Sequence, residues 1–260
     1  MYLMYADEAD QDGKKEFLIY AAVFFPSEKV LEMHNAILNL RTQYGFEDTD
    51  LLKFSTGTKP KNVSRENHAA IKNDLIALAR ANGCQACCYV TPFAIANGQS
   101  HVDRLKFGIN TLLLKFDQFL REHGEEAGTV CFDQTTDFKQ VKYFSEVFQE
   151  GMPFQGKRKK LKYVISIEQT SSGVSHLASV TDVIVGAFRF IMNEPDKDKV
   201  GSILLKELVQ LMWGQTDING TKNLRDRGLC IRLLKISHQG HQADIEALRE
   251  RLRRYSINSS

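Results

Sequence analysis

The sequence has no apolar run that approaches the roughly 20 residues a helix needs to cross a bilayer, so a membrane-spanning protein is not expected. It does not open with a charged segment leading into an apolar one, so no secretory leader is read there. Without such a leader, its five cysteines point to free thiols in a reducing cytoplasm and not to a disulfide framework. A large excess of one charge is also missing. With 34 basic and 32 acidic residues the net charge is +2, and any attraction for a polyanion must come from local patches. There is no internal repeat and no low-complexity segment. A phosphate-binding loop of the form G-x-x-x-x-G-K-[ST] is absent, and this disposes of one tempting match. Asp7-Glu8-Ala9-Asp10 spells a helicase box, but helicases of that type need such a loop upstream, and six residues precede Asp7. A second C-x-x-C pair is lacking too. Cys84 and Cys87, with Cys88, therefore read as small buried thiols in a strand rather than half of a zinc site. His238 and His241, without a neighbouring acid, read as surface polar residues.

What the sequence does have is material for a core. Its 260 residues are 43% hydrophobic and 10% aromatic, which excludes wholesale disorder. The length exceeds one typical domain and falls short of two. The apolar run 2–6 and the aromatic and β-branched run 17–25 flank a turn at 11–14, a pattern that predicts a hairpin of two buried strands. Pro26-Ser27 opens a helix with Ser27 as N-cap. Further helices are expected over 64–81, 102–121, 138–149, 175–192, 200–213 and 242–254, and strands over 84–91, 130–133, 163–167 and 229–236. Residues 193–198 make the clearest linker. A hairpin followed by strands separated by helices argues for a mixed sheet with helices packed on it, a three-layer α/β domain.

Acids at strand ends carry the first chemical signal. Asp7 closes the first strand and Asp133 a later one, and alternation puts Asp7 on one face with Leu3 and Tyr5, leaving Glu8 on the other face or in the turn. Carboxylates at the ends of neighbouring strands can converge on a hard cation such as Mg²⁺ and so support phosphodiester cleavage. They can equally be turn residues. Asp182 lies in a segment so apolar that a helix there must be buried on most sides, and an acid in it needs a partner. Ser175, Ser179, Asp182 and Gly186 share one stripe of that helix, whose small residues would let Asp182 approach another element or a metal closely. The alternative is an ion pair with an arginine such as Arg189.

The residues Tyr5-Ala-Asp-Glu-Ala-Asp10 resemble the Y-I-D-E-S-G opening of domain-of-unknown-function family 3800. Ser179-Val-Thr-Asp-Val-Ile-Val-Gly-Ala187 is similar to that family's late Q-L-A-D-L-I-A-G-A helix, Leu52-Lys-Phe-Ser55 to its lysine segment, and Phe132-Asp133 to its mid-chain acid. The resemblance covers residues 1 to about 190. It implies an RNase-H-like fold, with a mixed sheet flanked by helices over 1–192 and an extra helical C-terminal part over 193–260 packed on the same domain. It also implies a metal-dependent nuclease in which Asp7, Asp133 and Asp182 ligate Mg²⁺ or Mn²⁺. Glu8 would be a further ligand or turn-former, and Lys53 would contact the scissile phosphate or balance the acids. Two supports differ from the family pattern: its Ser-Gly is Ala9-Asp10 here, and its Gln and Ala are Ser179 and Thr181. The alternative function is therefore an inactive RNase-H-like module that binds nucleic acid or protein. The run Lys157, Arg158, Lys159, Lys160 and Lys162 is the candidate for phosphate contacts with an RNA or DNA partner, its alternative being a solvated loop. Arg249 to Arg254, with Glu250 interleaved, reads as a solvated helix face.

Overall fold

The apolar runs at the start of the chain form strands β1 (Tyr2–Ala9) and β2 (Phe17–Pro26), antiparallel from Tyr2 opposite Pro26 to Ala9 opposite Ile19. Every residue of β2 is buried, and alternation divides them. Phe17, Ile19, Ala21, Val23 and Phe25 enter one core cluster, while Leu18, Tyr20, Ala22 and Phe24 enter another. That is why β2 reads as an unbroken apolar run: both of its faces are covered. The computed structural model describes all residues except 10–14, 97–98, 155, 219–221, 232–238 and 255–260. The turn expected at 11–14 thus lies outside the described residues, as do Asp10, His238 and most of the strand expected over 229–236.

Helix α1 (Val30–Gln43) follows a single 3₁₀ turn over Ser27–Lys29, and Ser27 makes no side-chain cap, contrary to expectation. Helix α2 (Arg65–Ala81) is capped by Ser64, whose hydroxyl accepts the Asn67 N–H at 3.0 Å. Strand β3 (Gln85–Pro92) leads through the one-turn helix α3 (Phe93–Ala96) to α4 (His101–Glu122), strand β4 (Gly128–Asp133) and helix α5 (Phe138–Glu150). The basic run is part strand: β5 (Met152–Phe154) and β6 (Lys157–Lys159) pair antiparallel, while Lys160 and Lys162 lie in the connection to the next strand. Then come β7 (Val164–Thr170), longer than the expected 163–167, and helix α6 (His176–Asn193).

The expected linker is a tight corner, a 3₁₀ turn over Pro195–Lys197 that runs straight into helix α7 (Asp198–Leu211). Asn193 closes α6 by exchanging two 3.1 Å hydrogen bonds with the backbone N–H and C=O of Phe17, which leaves the segment no freedom to act as a linker. Helix α7 ends before the expected residue 213, because the Trp213 N–H donates to the Ala86 carbonyl at the edge of β3. A two-stranded ladder of β8 (Gln215–Thr216) and β9 (Lys222–Asn223), strand β10 (Leu229–Ile231) and helix α8 (Gln239–Arg254) complete the chain.

The main sheet has the order β10-β3-β2-β1-β4-β7, with β2 antiparallel to its neighbours and the other pairings parallel. Residues from α1, α2, α6 and α7 fill the core on one face, and those from α4 and α5 fill it on the other. This is the RNase-H-like three-layer α/β arrangement. The part beyond residue 193 is not purely helical, since β10 pairs with β3 and extends the main sheet. Among the described residues no helix is long and apolar enough to cross a membrane.

Candidate functional site

Strands β1 and β4 are parallel neighbours, paired from Tyr2–Gly128 to Ala6–Phe132. Asp7 and Asp133 are the next residue on each strand, so the two acids stand side by side at one end of the sheet. Period-2 alternation turns them, with Tyr5 and Cys131, toward the face that α6 covers. Asp182 of α6 meets them there. Asp7, Asp133, Asp182 and Lys53 line one small open cleft of about 20 Å³. Glu8 is not among the residues that line it: it stands on the opposite face of β1, the side to which Met4 and Ala6 belong.

The electrostatics reflect this crowding. Burial raises the Asp7 carboxyl to about 6; the 2.8 Å hydrogen bond from the Glu8 N–H opposes the rise, the charges of Asp133 and Asp182 add to it, and Lys53 opposes it. Glu8 is lifted to about 7, first by burial and then by Asp7 and Asp133. Asp182 is satisfied differently. Its Oδ2 accepts the Phe54 N–H at 2.7 Å, and its Oδ1 lies 3.6 Å from the Lys53 ammonium. The cation beside Asp182 is thus Lys53 rather than the arginine considered from the sequence. With Lys53 34% exposed, this pair contributes little to stability by itself.

The small-residue stripe of α6 explains how Asp182 reaches the 52–54 segment. A Cβ at Gly186 would stand 2.3 Å from the Cβ of Phe54, so glycine is what lets that segment lie against the helix. Ser179 is buried and donates to the Ser172 carbonyl at 3.3 Å, and Ser175 caps α6 while donating to the Tyr5 hydroxyl at 3.4 Å. Two residues of α2 that sequence reasoning missed hold the same segment from the other side. His68 Nε2 donates to the Lys53 carbonyl at 3.1 Å, and Lys72 Nζ donates to the Phe54 carbonyl at 3.0 Å. Burial lowers the Lys72 pKa, against the pull of Asp182. The available signal was a lysine beside Ile71 on the apolar stripe of α2, a place where a charge needs a partner.

Among the described residues no three His, Cys, Asp or Glu side chains close around a common point, so the cleft is not a protein-built metal cage. The donors still suit a hard, hydrated cation, because Mg²⁺ is ordinarily held by one or two carboxylates and keeps several waters. Burial is the main cause of the lifted Asp7 carboxyl, and the charges of Asp133 and Asp182 raise it further.

The basic run is not brought to the cleft. Lys162 and Tyr163 precede β7, and their N–H groups donate to Asp117 near the end of the sheet where Gly128 begins β4, the end opposite Asp133. With six residues in β4, at about 3.3 Å each, the two ends lie on the order of 20 Å apart. Arg158 is further engaged with the Gly151 carbonyl (2.9 Å) and Glu150 (3.4 Å), and Lys162 with Glu125 (3.6 Å). Lys157 and Lys160 are exposed. If the run contacts phosphates, neutralising Lys157, Lys159 and Lys160 should weaken binding to all sequences alike and lower the salt slope by about 0.9 per lost duplex contact. Titrations across a salt series check this, and an unchanged slope would identify a solvated hairpin. On α8, His241 sits 3.5 Å from Asp244, an exposed neighbour that the sequence reading overlooked.

No protein-family model matches the chain, and no curated protein matches it. Among solved structures it is similar to the PCNA:RNase HII complex from Archaeoglobus fulgidus, at 12% identity over 98% of this chain and 91% of that one, with a TM-score of 0.42. It is also similar to the ribonuclease H2 from Pyrococcus horikoshii OT3 (14%, 77% and 78%, 0.41) and to Aquifex aeolicus RNase H3 (16%, 76% and 60%, 0.38). Strand order and direction, rather than these distant likenesses, define the fold as RNase-H-like.

Proposed function

We propose that this protein is a divalent-metal-dependent nuclease that hydrolyses phosphodiester bonds of RNA or DNA at the cleft of Asp7, Asp133 and Asp182. The observation that carries the reading is that three carboxylates, from two adjacent strand ends and one facing helix, line the same cleft as Lys53. Mg²⁺ or Mn²⁺, when bound, would supply charge neutralisation and a water of lowered pKa. Asp7 and Asp133 would hold the ion, with Asp182 as the third carboxylate, kept in place by the Phe54 N–H. Lys53 would bind a non-bridging oxygen of the phosphodiester, its backbone carbonyl steadied by His68. Glu8, on the far face of β1, would act on the site through its charge beside Asp7 rather than by touching substrate.

A screen of single- and double-stranded RNA and DNA with Mg²⁺ or Mn²⁺, run beside an EDTA control, tests this. Cleavage should require the metal and should fall to background in Asp133→Asn. Metal-independent cleavage, or equal cleavage by that variant, would count against it. The inactive binding module is the second reading. It is favoured by the Lys53 ammonium already pairing with Asp182 and by Ala9-Asp10 in place of Ser-Gly. Nucleic-acid binding without cleavage in any of the four substrates would select it.

A further inference from the structure

Beyond the 52–54 segment, on the side away from the acids, a second cleft of about 360 Å³ opens between α2, α6 and α7. It lies within the size range of small-ligand sites, roughly 300–1,000 Å³. Two aromatic rings form part of its wall, Phe54 and Phe190, with centroids 6.1 Å apart. Each carries a cation on its ring: Lys72 Nζ is 4.5 Å from the Phe54 centroid and Lys197 Nζ is 5.4 Å from that of Phe190. Arg189 lines the same cleft. Its acid, Glu194, is already paired with Lys15 at 2.6 Å and with Lys197 at 3.8 Å, so the lining is cationic. Both rings are half-buried, so each leaves part of its surface to the cleft.

Half-exposed rings bordered by cations are the elements with which proteins bind single-stranded nucleic acid: bases stack on the rings while the cations take the phosphates. Phe54 also ties the two clefts together, because its own N–H donates to Asp182 and it directly follows Lys53. We infer that the α2–α6–α7 cleft binds a nucleotide of a single-stranded polynucleotide that neighbours the bond held at Asp7, Asp133 and Asp182. The inference rests on the nuclease reading for its substrate class, and it adds that the strand is unpaired at this point. A base stacks against Phe190 and Phe54, and Arg189 and Lys197 neutralise the flanking phosphates.

Binding measured in EDTA separates this inference from cleavage. The probes are fluorescein-labelled oligothymidine and oligouridine of about 10 nucleotides, within the 4–16 nucleotide range of known single-strand sites, and a duplex of equal length. Wild type should bind the single strands more tightly than the duplex. Phe190→Leu combined with Lys197→Gln should weaken single-strand binding by about 10-fold, the scale of one lost base stack. It should also lower the salt slope by about 0.7, the value for one lost single-strand contact. Should the double variant fold poorly, exposed Lys197→Glu alone must still weaken binding and lower the slope. Unchanged affinity and slope in a folded variant, equal or tighter binding of the duplex, or no single-strand binding by wild type would each overturn the inference. Cleavage is assayed separately with metal. A cleaving protein whose variants bind normally loses this cleft but keeps its nuclease reading; single-strand binding that the variants weaken, without any cleavage, does the reverse.

Discussion

Alanine at position 186 should lower the melting temperature by several degrees and cut metal-dependent cleavage by about 100-fold. On helix propensity alone the change would stabilise α6, by up to about 1 kcal/mol. Packing decides the sign the other way. The added Cβ would stand 2.3 Å from Phe54 Cβ and 2.4 Å from Phe54 Cγ. The nearest of these atoms is fixed to the backbone, so the segment itself must move. Overpacking of this kind costs about 1–3 kcal/mol, and for a chain of this size each kcal/mol moves the melting temperature by roughly 2–4 °C. The larger effect falls on the site. Displacing Phe54 breaks its 2.7 Å hydrogen bond to Asp182 and carries Lys53 away from the cleft. A misplacement of about 1 Å in a reacting group is enough for a 100-fold loss. A companion Phe54→Gly removes both the Cβ and the ring that the new methyl would meet, so the double variant should be more stable than the sum of the two singles, which a double-mutant cycle of melts reads directly. A melting temperature in Gly186→Ala equal to or above that of wild type would mean that Phe54 is not pressed against α6.

The part of this arrangement that could be read in the sequence is the part written in period-2 and period-3.6 patterns. The apolar run of β2 announced a strand covered on both faces, and the acids that closed two apolar runs marked one end of a sheet. Asp182 stood out because an acid in so apolar a helix needs a partner. Its partners did not stand out, because the 52–54 segment has no periodicity and its fit against α6 depends on the missing side chain of Gly186. Lys72 and His68 act through single hydrogen bonds to that segment, contacts between residues 15 and 18 positions apart that no local pattern encodes. The basic run shows the opposite failure. Its charge density was plain, but which end of the sheet it would occupy depended on the parallel pairing of β4 with β7, and that pairing places it away from the acids. The linker expected at 193–198 failed for a related reason. Its composition reads as a loop, yet Asn193 replaces a backbone partner for Phe17 at the start of β2, which pins the corner to the sheet.

Asp7→Asn should abolish cleavage and, with metal withheld, make the protein more stable at neutral and alkaline pH. The folded protein holds the Asp7 carboxyl at about 6 and that of Glu8 at about 7, against ordinary values of 3.8 and 4.5. Both shifts are upward, so the folded state binds these protons more tightly than the unfolded state does. The stability they contribute is complete below about pH 4 and is lost as the pH rises through about 6 and 7. A shift of about two units in Asp7 corresponds to roughly 3 kcal/mol, an upper figure that cannot simply be added to that of Glu8 because the two carboxyls act on one another. In EDTA the wild-type melting temperature should therefore decline between about pH 5 and pH 8. Asparagine at position 7 keeps an oxygen that can accept the Glu8 N–H, cannot ionise, and relieves Glu8 of its neighbour's charge. The variant's curve should decline less and lie above that of wild type at about pH 8. Mn²⁺ should raise the wild-type melting temperature by mass action, and more at pH 8 than near pH 5, since the ligands must lose their protons first. The variant should show little of that rise. Superimposable pH curves in EDTA would mean that Asp7 titrates in the folded protein as it does in the unfolded chain. An equal rise with Mn²⁺ in both proteins would remove Asp7 from the metal site, even if cleavage were lost.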